Sequence, residues 1–242
     1  MRIFLFVILA LLALLLVVMG LNLLIGYFGY RFAMSRKSIL KRGIEKRSKN
    51  KRSEECKTYF SQFEKLSIVS GDNLKLYGFY KDNNSNNLAI VVHGYGGNHF
   101  DVYMQCMMFE RRGYSILALD LRAHGDSEGD MLTMGLYEHT DLISWIEKML
   151  EIKNYKIVLY GISMGASTVC MALGEKLPSN VICAIEDCSF DNANREFSYV
   201  FSRNKFKLKW IYKIFYRYVK TVKKIDLKKI NVAKKLAKSQ LP

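Results

Sequence analysis

Residues Ile3 to Ile25 form a run of 23 in which only Gly20 and Asn22 fall outside the strongly apolar set, and no charge lies between Arg2 and Arg31. About 20 apolar residues in a helix cross the hydrocarbon core of a bilayer, so this length is read as a membrane span rather than a buried core helix. Each Leu, Ile, Val or Phe near the centre favours insertion by roughly 0.3–0.6 kcal/mol. A cleaved signal sequence is the rival reading, but its apolar stretch is about 7–15 residues and ends at a small-residue site. Here Gly26, Tyr27, Phe28 and Gly29 follow instead.

The flanks of the run predict its orientation. Arg2 alone precedes it, whereas Arg31, Arg36, Lys37, Lys41, Arg42 and five further cations follow before residue 53. The positive-inside rule then places the body in the cytoplasm, the extracytoplasmic face being the alternative. The same cations either form a solvated linker or lie on anionic headgroups. The net charge of +15 resides outside the central body: residues 53–202 carry 12 basic and 20 acidic side chains, while residues 203–242 carry 14 basic ones against Asp226. An acidic body argues against a nucleic-acid groove. Five cysteines, odd in number and without a C-x-x-C pair, predict free thiols rather than a disulfide framework. No His/Cys spacing matches a metal site, so neither metal nor cofactor is expected.

From residue 65 onward, short β-branched runs alternate with helical patterns, the signature of an α/β protein with a mostly parallel sheet. Lys65–Ser70 and Leu74–Tyr80, joined at Gly71-Asp72-Asn73, read as a hairpin. Leu88–Val92, Ser115–Leu119, Lys156–Tyr160 and Val181–Ile185 are continuous apolar runs of the kind buried on both faces. Helices are predicted over Phe100–Arg112, Leu136–Leu150 and Ala166–Leu177, the last stopped by Pro178. In the second of these, Leu142, Trp145, Ile146, Met149 and Leu150 follow a 3.6-residue period and read as core.

Chemistry enters at Gly161-Ile162-Ser163-Met164-Gly165, a G-x-S-x-G string set between a predicted strand and a predicted helix. A sharp turn there exposes the serine hydroxyl, small flanking residues let strand and helix approach, and the helix N-terminus adds positive potential. An ordinary strand-to-helix turn is the bland alternative. His93-Gly94-Tyr95-Gly96-Gly97 directly follows the strand at 88–92. Acyl transfer needs two backbone N–H donors aimed at the developing oxyanion, and Tyr95 and Met164 are the candidates. His93 reads as a brace of this loop rather than as a base.

With these motifs in register, the chain resembles the α/β-hydrolase superfamily, and in particular membrane-anchored bacterial members with a serine-aminopeptidase-like or lysophospholipase-like domain. The resemblance rests on Gly71–Gly78, His93–Asn98, Leu119–Ser127, Gly161–Gly165 and Glu186–Ser189, in the family's order. It implies an anchor at 1–30, a basic juxtamembrane linker at 31–59, and a hydrolase domain at 60–242 whose residues 191–238 are similar to a helical cap. It implies Ser163 as nucleophile, and a small acyl substrate with an ester, thioester or small amide bond. The loop with Arg122, His124, Gly125 and Ser127 is structural in that family, and Ala123 stands where a glycine is usual.

One departure outweighs the matches. The family's triad runs Ser, then Asp/Glu, then His along the chain, yet His93, His99, His124 and His139 all precede Ser163. The fold is therefore expected to be incomplete at its C-terminus, the strand at 181–185 exposing an apolar edge. Asp187, and less so Glu186, is the candidate acid at the end of that strand. Three readings follow: a hydrolase whose last strands are missing or supplied by a separate chain; a catalytically inactive relic or membrane-bound interaction module; and an active enzyme using His93 or His139 as an unusual base.

Overall fold

The computed structural model describes residues 2–38, 41–46, 54–203, 209–239 and 241. Helix α1 (Arg2–Ala33) is long and apolar enough to cross a membrane. Helix α2 (Glu54–Phe60) leads into the antiparallel hairpin β1 (Glu64–Val69) and β2 (Lys75–Lys81), followed by β3 (Asn87–Val92). A 3-10 turn at His99–Val102 opens into α3 (Tyr103–Glu110), and then come β4 (Ser115–Asp120), α4 (Glu138–Ile152), β5 (Lys156–Ile162), α5 (Met164–Leu173) and β6 (Val181–Asp187). Three helices close the described chain: α6 (Ala193–Ser202), α7 (Lys209–Thr221) and α8 (Val232–Leu236).

The strands form one sheet in the order β1-β2-β4-β3-β5-β6, parallel from β4 to β6. The period-2 geometry of its apolar runs explains its two cores. Leu88, Ile90, Val92, Leu117, Leu119 and Leu159 face α4, α5 and the end of α1. Ala89, Val91, Ile116, Ala118 and Tyr160 face α2 and α3. The predicted stripe on α4 is core, with Leu142, Trp145, Ile146 and Met149 all buried.

Two expectations need correction. The continuous apolar run Val181–Ile185 reads as buried on both faces, but it forms the edge strand β6 with Ile182 and Ile185 exposed by 43% and 40%, which agrees instead with the exposed apolar edge expected from the motif order. An unbroken apolar run does not reveal whether a second neighbour is present. The expected linker is, over its described residues, built into the body. Apolar and charged side chains of residues 30–46 share its interior: Tyr30, Ala33, Met34, Ser38 and Lys41 are buried. Arg36 donates its backbone N–H to Asp130 O at 2.7 Å, and Met34 O accepts from Leu132 N–H at 2.7 Å.

Helix α1 is also packed laterally. Phe215 and Val219 of α7 are buried while Lys209, Lys213, Arg217 and Lys220 face outward. A Cβ on Gly26 would lie 2.5 Å from Tyr218 Cβ, and one on Gly29 3.1 Å from Phe215 Cβ, so glycine at these two positions permits the helices' close approach. The cap-like region thus clamps the last two turns of α1.

Candidate active site

Ser163 stands at the junction of β5 and α5 with φ 54° and ψ −115°, a left-handed conformation that costs a non-glycine residue on the order of 1–3 kcal/mol. The surroundings impose it. Ser163 N–H donates to Asp187 O at 2.7 Å, tying the turn to the end of β6. A Cβ on Gly161 would come within 2.5 Å of Gly165 C, and one on Gly165 within 2.5 Å of His93 O. Only hydrogen fits at either flank. Ser163 occupies the N-cap position of α5, yet its side chain makes no capping hydrogen bond. Its hydroxyl instead borders a cavity of about 520 Å³.

Tyr95 and Met164 border the same cavity. Neither backbone N–H has a hydrogen-bond acceptor among the described residues. Gly94 keeps the approach open, since a Cβ there would sit 3.3 Å from Ser163 Cβ and 3.9 Å from its Oγ. The loop is held from behind by the end of α1 and the segment after it: Tyr95 OH donates to Ala33 O at 2.6 Å and lies 3.2 Å from Ser38 Oγ. No sequence pattern signalled that tie, because it joins residues 62 apart in the chain. Met134, Phe190, Phe197 and Val200 give the cavity an apolar wall, with Glu196 and Arg203 contributing polar groups. The α6 contribution was legible only as generic helix.

The histidines act as braces. His93 donates from Nδ1 to Gly94 O at 2.7 Å and accepts from Leu121 N–H on Nε2 at 3.1 Å. His124 donates from Nδ1 to Arg122 O at 2.9 Å and accepts from Gly96 N–H at 3.2 Å. Together they stitch loop 93–97 to loop 120–129. Burial lowers both imidazole pKa values, so both rings are neutral. His99 bonds buried Asp120 at 2.9 Å and stacks on Phe79 at 3.6 Å. Burial is the largest influence on the Asp120 pKa and raises it, but the His99 hydrogen bond, the neighbouring His99 and His93 rings and the Asp126 N–H together hold the carboxyl below its ordinary value. His139 pairs through Nδ1 with Gly135 O at 2.9 Å, its Nε2 lying 3.6 Å from Glu175. None of the four borders the Ser163 cavity.

Asp187 is adjacent to Ser163 through the backbone only. Its carboxylate accepts from Tyr160 OH at 2.7 Å, on the side of the sheet where Tyr160 meets Phe109 of α3. Glu186 accepts from Ser189 N–H at 3.0 Å. Ala123, standing where a glycine was expected, has φ 60°. All five cysteines are free, and Cys188 borders the cavity. Among the described residues, no group of three or more His, Cys, Asp or Glu side chains could hold a metal ion.

Comparison with known proteins places this geometry. The uncharacterized protein YqkD of Bacillus subtilis (strain 168) is 28% identical over 145 residues, 58% of this chain and 48% of that protein. The uncharacterized protein YfhR of Salmonella typhimurium is 25% identical over 121 residues, 47% of this chain and 41% of that protein. The chain spans about half the length of the curated relatives it matches. Among solved structures, Pyrococcus furiosus esterase Pf2001 superposes with a TM-score of 0.60 at 26% identity, covering 76% of this chain and 70% of that one. An alpha-beta hydrolase from Vibrio vulnificus shares the fold, with a TM-score of 0.55 at 16% identity over 85% of this chain and 78% of that one. Residues 88–227, from the strand before the glycine loop through the cap-like helices, match the family model for the alpha/beta hydrolase fold, and the chain belongs to that family.

Proposed function

We propose that the chain is a membrane-anchored serine hydrolase of ester, thioester or small amide bonds, held by α1 with its body on the cytoplasmic side. One observation carries the chemistry: a strained serine with an uncommitted hydroxyl shares a cavity with two backbone N–H groups that have no described acceptor. In this reading Ser163 Oγ attacks the substrate carbonyl carbon, the oxyanion is received by the N–H groups of Tyr95 and Met164, and the leaving group departs as the acyl-enzyme forms. The apolar wall of Met134, Phe190, Phe197 and Val200 suits an aliphatic acyl portion. The esterase resemblance supports the bond class. The apolar run and the cations after it support the anchoring and its sidedness.

The serine proton needs an acceptor, and each of the four imidazoles is committed elsewhere. In this reading the base, and the acid that orients it, come from polypeptide outside these 242 residues seated along the free edge of β6, next to Asp187. That no imidazole among the described residues borders the Ser163 cavity favours a second reading, a non-catalytic membrane-bound interaction module. Fluorophosphonate labelling of the full chain in neutral detergent, read by mass spectrometry, separates them. The hydrolase reading expects a slow adduct on Ser163, absent in Ser163→Ala. An oxyanion hole without a base retains only about 10³–10⁴-fold acceleration over water. Labelling should therefore track hydroxide concentration, with no inflection near the ordinary imidazole pKa of about 6.5. Complete resistance of Ser163 to the reagent overturns the hydrolase reading. Protease access to the body in inverted vesicles, but not in intact spheroplasts, is expected for the cytoplasmic orientation.

A further inference from the structure

A second cavity, of about 500 Å³, lies at the foot of the anchor helix and plays no part in the chemistry at Ser163. Arg36, Lys37, Lys41 and Arg42 line it, against two carboxylates, Glu45 and Asp126. Both carboxylates are already engaged: Glu45 lies 3.2 Å from Lys41 Nζ and Asp126 2.6 Å from Lys65 Nζ. The remaining charge is therefore positive. The Arg36 guanidinium is half-buried and donates to the carbonyls of Ser127, Gly125 and Gly129, none of which neutralises it. Lys37 and Arg42 are exposed and, among the described residues, take part in no ion pair. Lys41, only 3% exposed, donates to Ala123 O and fixes the segment in place.

The depth of this cavity is set by α1. At about 1.5 Å per residue, the eight steps from Ile25 to Ala33 rise about 12 Å, and exposed Tyr27 and Phe28 lie between them. Aromatic residues of this kind settle at the headgroup level. Arg36 and its neighbours follow within one further turn of chain. A cationic recess at that height meets phosphate groups before any other anion.

We propose that this cavity binds a phosphate-bearing anion, its source being the headgroup of an anionic phospholipid in the anchoring membrane. The anion site stands on the cavity alone, whereas the lipid source rests on the membrane-anchor reading given above. With Nη1 committed to the carbonyls of Ser127 and Gly129 and one Nη2 hydrogen to Gly125, Arg36 keeps its charge and its Nε–H and second Nη2 hydrogen for phosphate oxygens. Lys37 and Arg42 supply mobile cations from the rim.

The test uses the full chain in neutral detergent micelles, by native mass spectrometry and thermal unfolding. One arm adds dihexanoyl phosphatidylglycerol against dihexanoyl phosphatidylcholine, and a second adds inorganic phosphate without lipid. Retention of phosphatidylglycerol over phosphatidylcholine supports the site with the lipid as source. Saturable stabilisation by phosphate, without lipid preference, supports the site with a soluble anion as source. Lys37→Gln with Arg42→Gln should weaken the retained ligand about 30-fold, at the contribution expected of two cations near an anionic surface. Lys209→Gln with Lys213→Gln, which removes the same charge from α7, should leave binding intact. Absence of both effects in the wild-type chain overturns the proposal, as does equal loss in the two double variants. Carbonate extraction of membranes reads the anchoring separately, so a failed lipid arm is not confused with a failed anchor.

Discussion

Gly165→Ala sets two well-measured tendencies against each other. Gly165 is the second residue of α5, and alanine in a helix is favoured over glycine by about 1 kcal/mol. Were the position an ordinary helical one, the substitution would stabilise the chain. The added Cβ, however, would sit 2.5 Å from His93 O and 2.8 Å from Val92 C, closer still to Val92 O. Comfortable separation is roughly 3.5 Å. The end of β3 and the glycine loop must therefore move about 1 Å, since backbone atoms cannot rotate aside as a side-chain tip can. Overpacking typically costs about 1–3 kcal/mol, and against backbone the upper end applies. The net loss is about 2 kcal/mol, or a fall in Tm of about 4–8 °C for a domain of this size. The loop that shifts carries Tyr95, and a misplacement of this order costs about 10²-fold in reactivity. Thermal unfolding in detergent and the rate of fluorophosphonate labelling read the two consequences. A variant as stable as the parent, or more so, would refute the claim that strand and helix meet here at the contact limit.

Ser163→Gly should raise Tm by about 2–4 °C while abolishing the adduct, because glycine adopts φ 54° without strain worth about 1 kcal/mol. His93 and His124 have folded pKa values depressed by burial, so the stability they confer is complete above the unfolded value near 6.5 and is lost as pH falls below it. The slope is about 1.4 kcal/mol per pH unit for each histidine, and urea unfolding at stepped pH should show it halved in His124→Gln. Gly26→Leu should part α7 from α1, since even a Cβ there lies 2.5 Å from Tyr218 Cβ. A loss of about 1–3 kcal/mol and faster proteolysis of α7 are expected, with Gly20→Ala, which meets nothing within 4 Å, as the neutral comparison.

Where the chain's chemistry is local, the sequence was readable. The run Leu88–Val92, the elbow at 161–165 and the glycine loop at 93–97 are each specified by neighbours in the chain, and the structure brings Ser163, Tyr95 and Met164 to one cavity. The α5 helix begins two residues earlier than its apolar pattern suggested, because Met164 and Gly165 already belong to the turn. It ends at Gly174 rather than at Pro178, glycine being sufficient to stop it. What escaped the sequence depends on distant partners. Nothing near Lys41 announces that it will be buried, and among the described residues the carbonyl of Ala123 and the carboxylate of Glu45 receive its ammonium. The exposure of Ile182 and Ile185 on the edge strand β6 was legible only in the order of the motifs, since the apolar run by itself reads as buried on both faces.

The tie between Tyr95 and the last carbonyl of α1 makes that helix a mechanical component of the glycine loop. A rod 32 residues long, clamped at one end and exposed along most of the rest, works as a lever, so whatever holds or tilts its free length also loads the hydroxyl-to-carbonyl joint. Removing α1 to obtain a water-soluble fragment would take away that joint, and kinetics measured on such a fragment would describe a loop with one of its moorings cut.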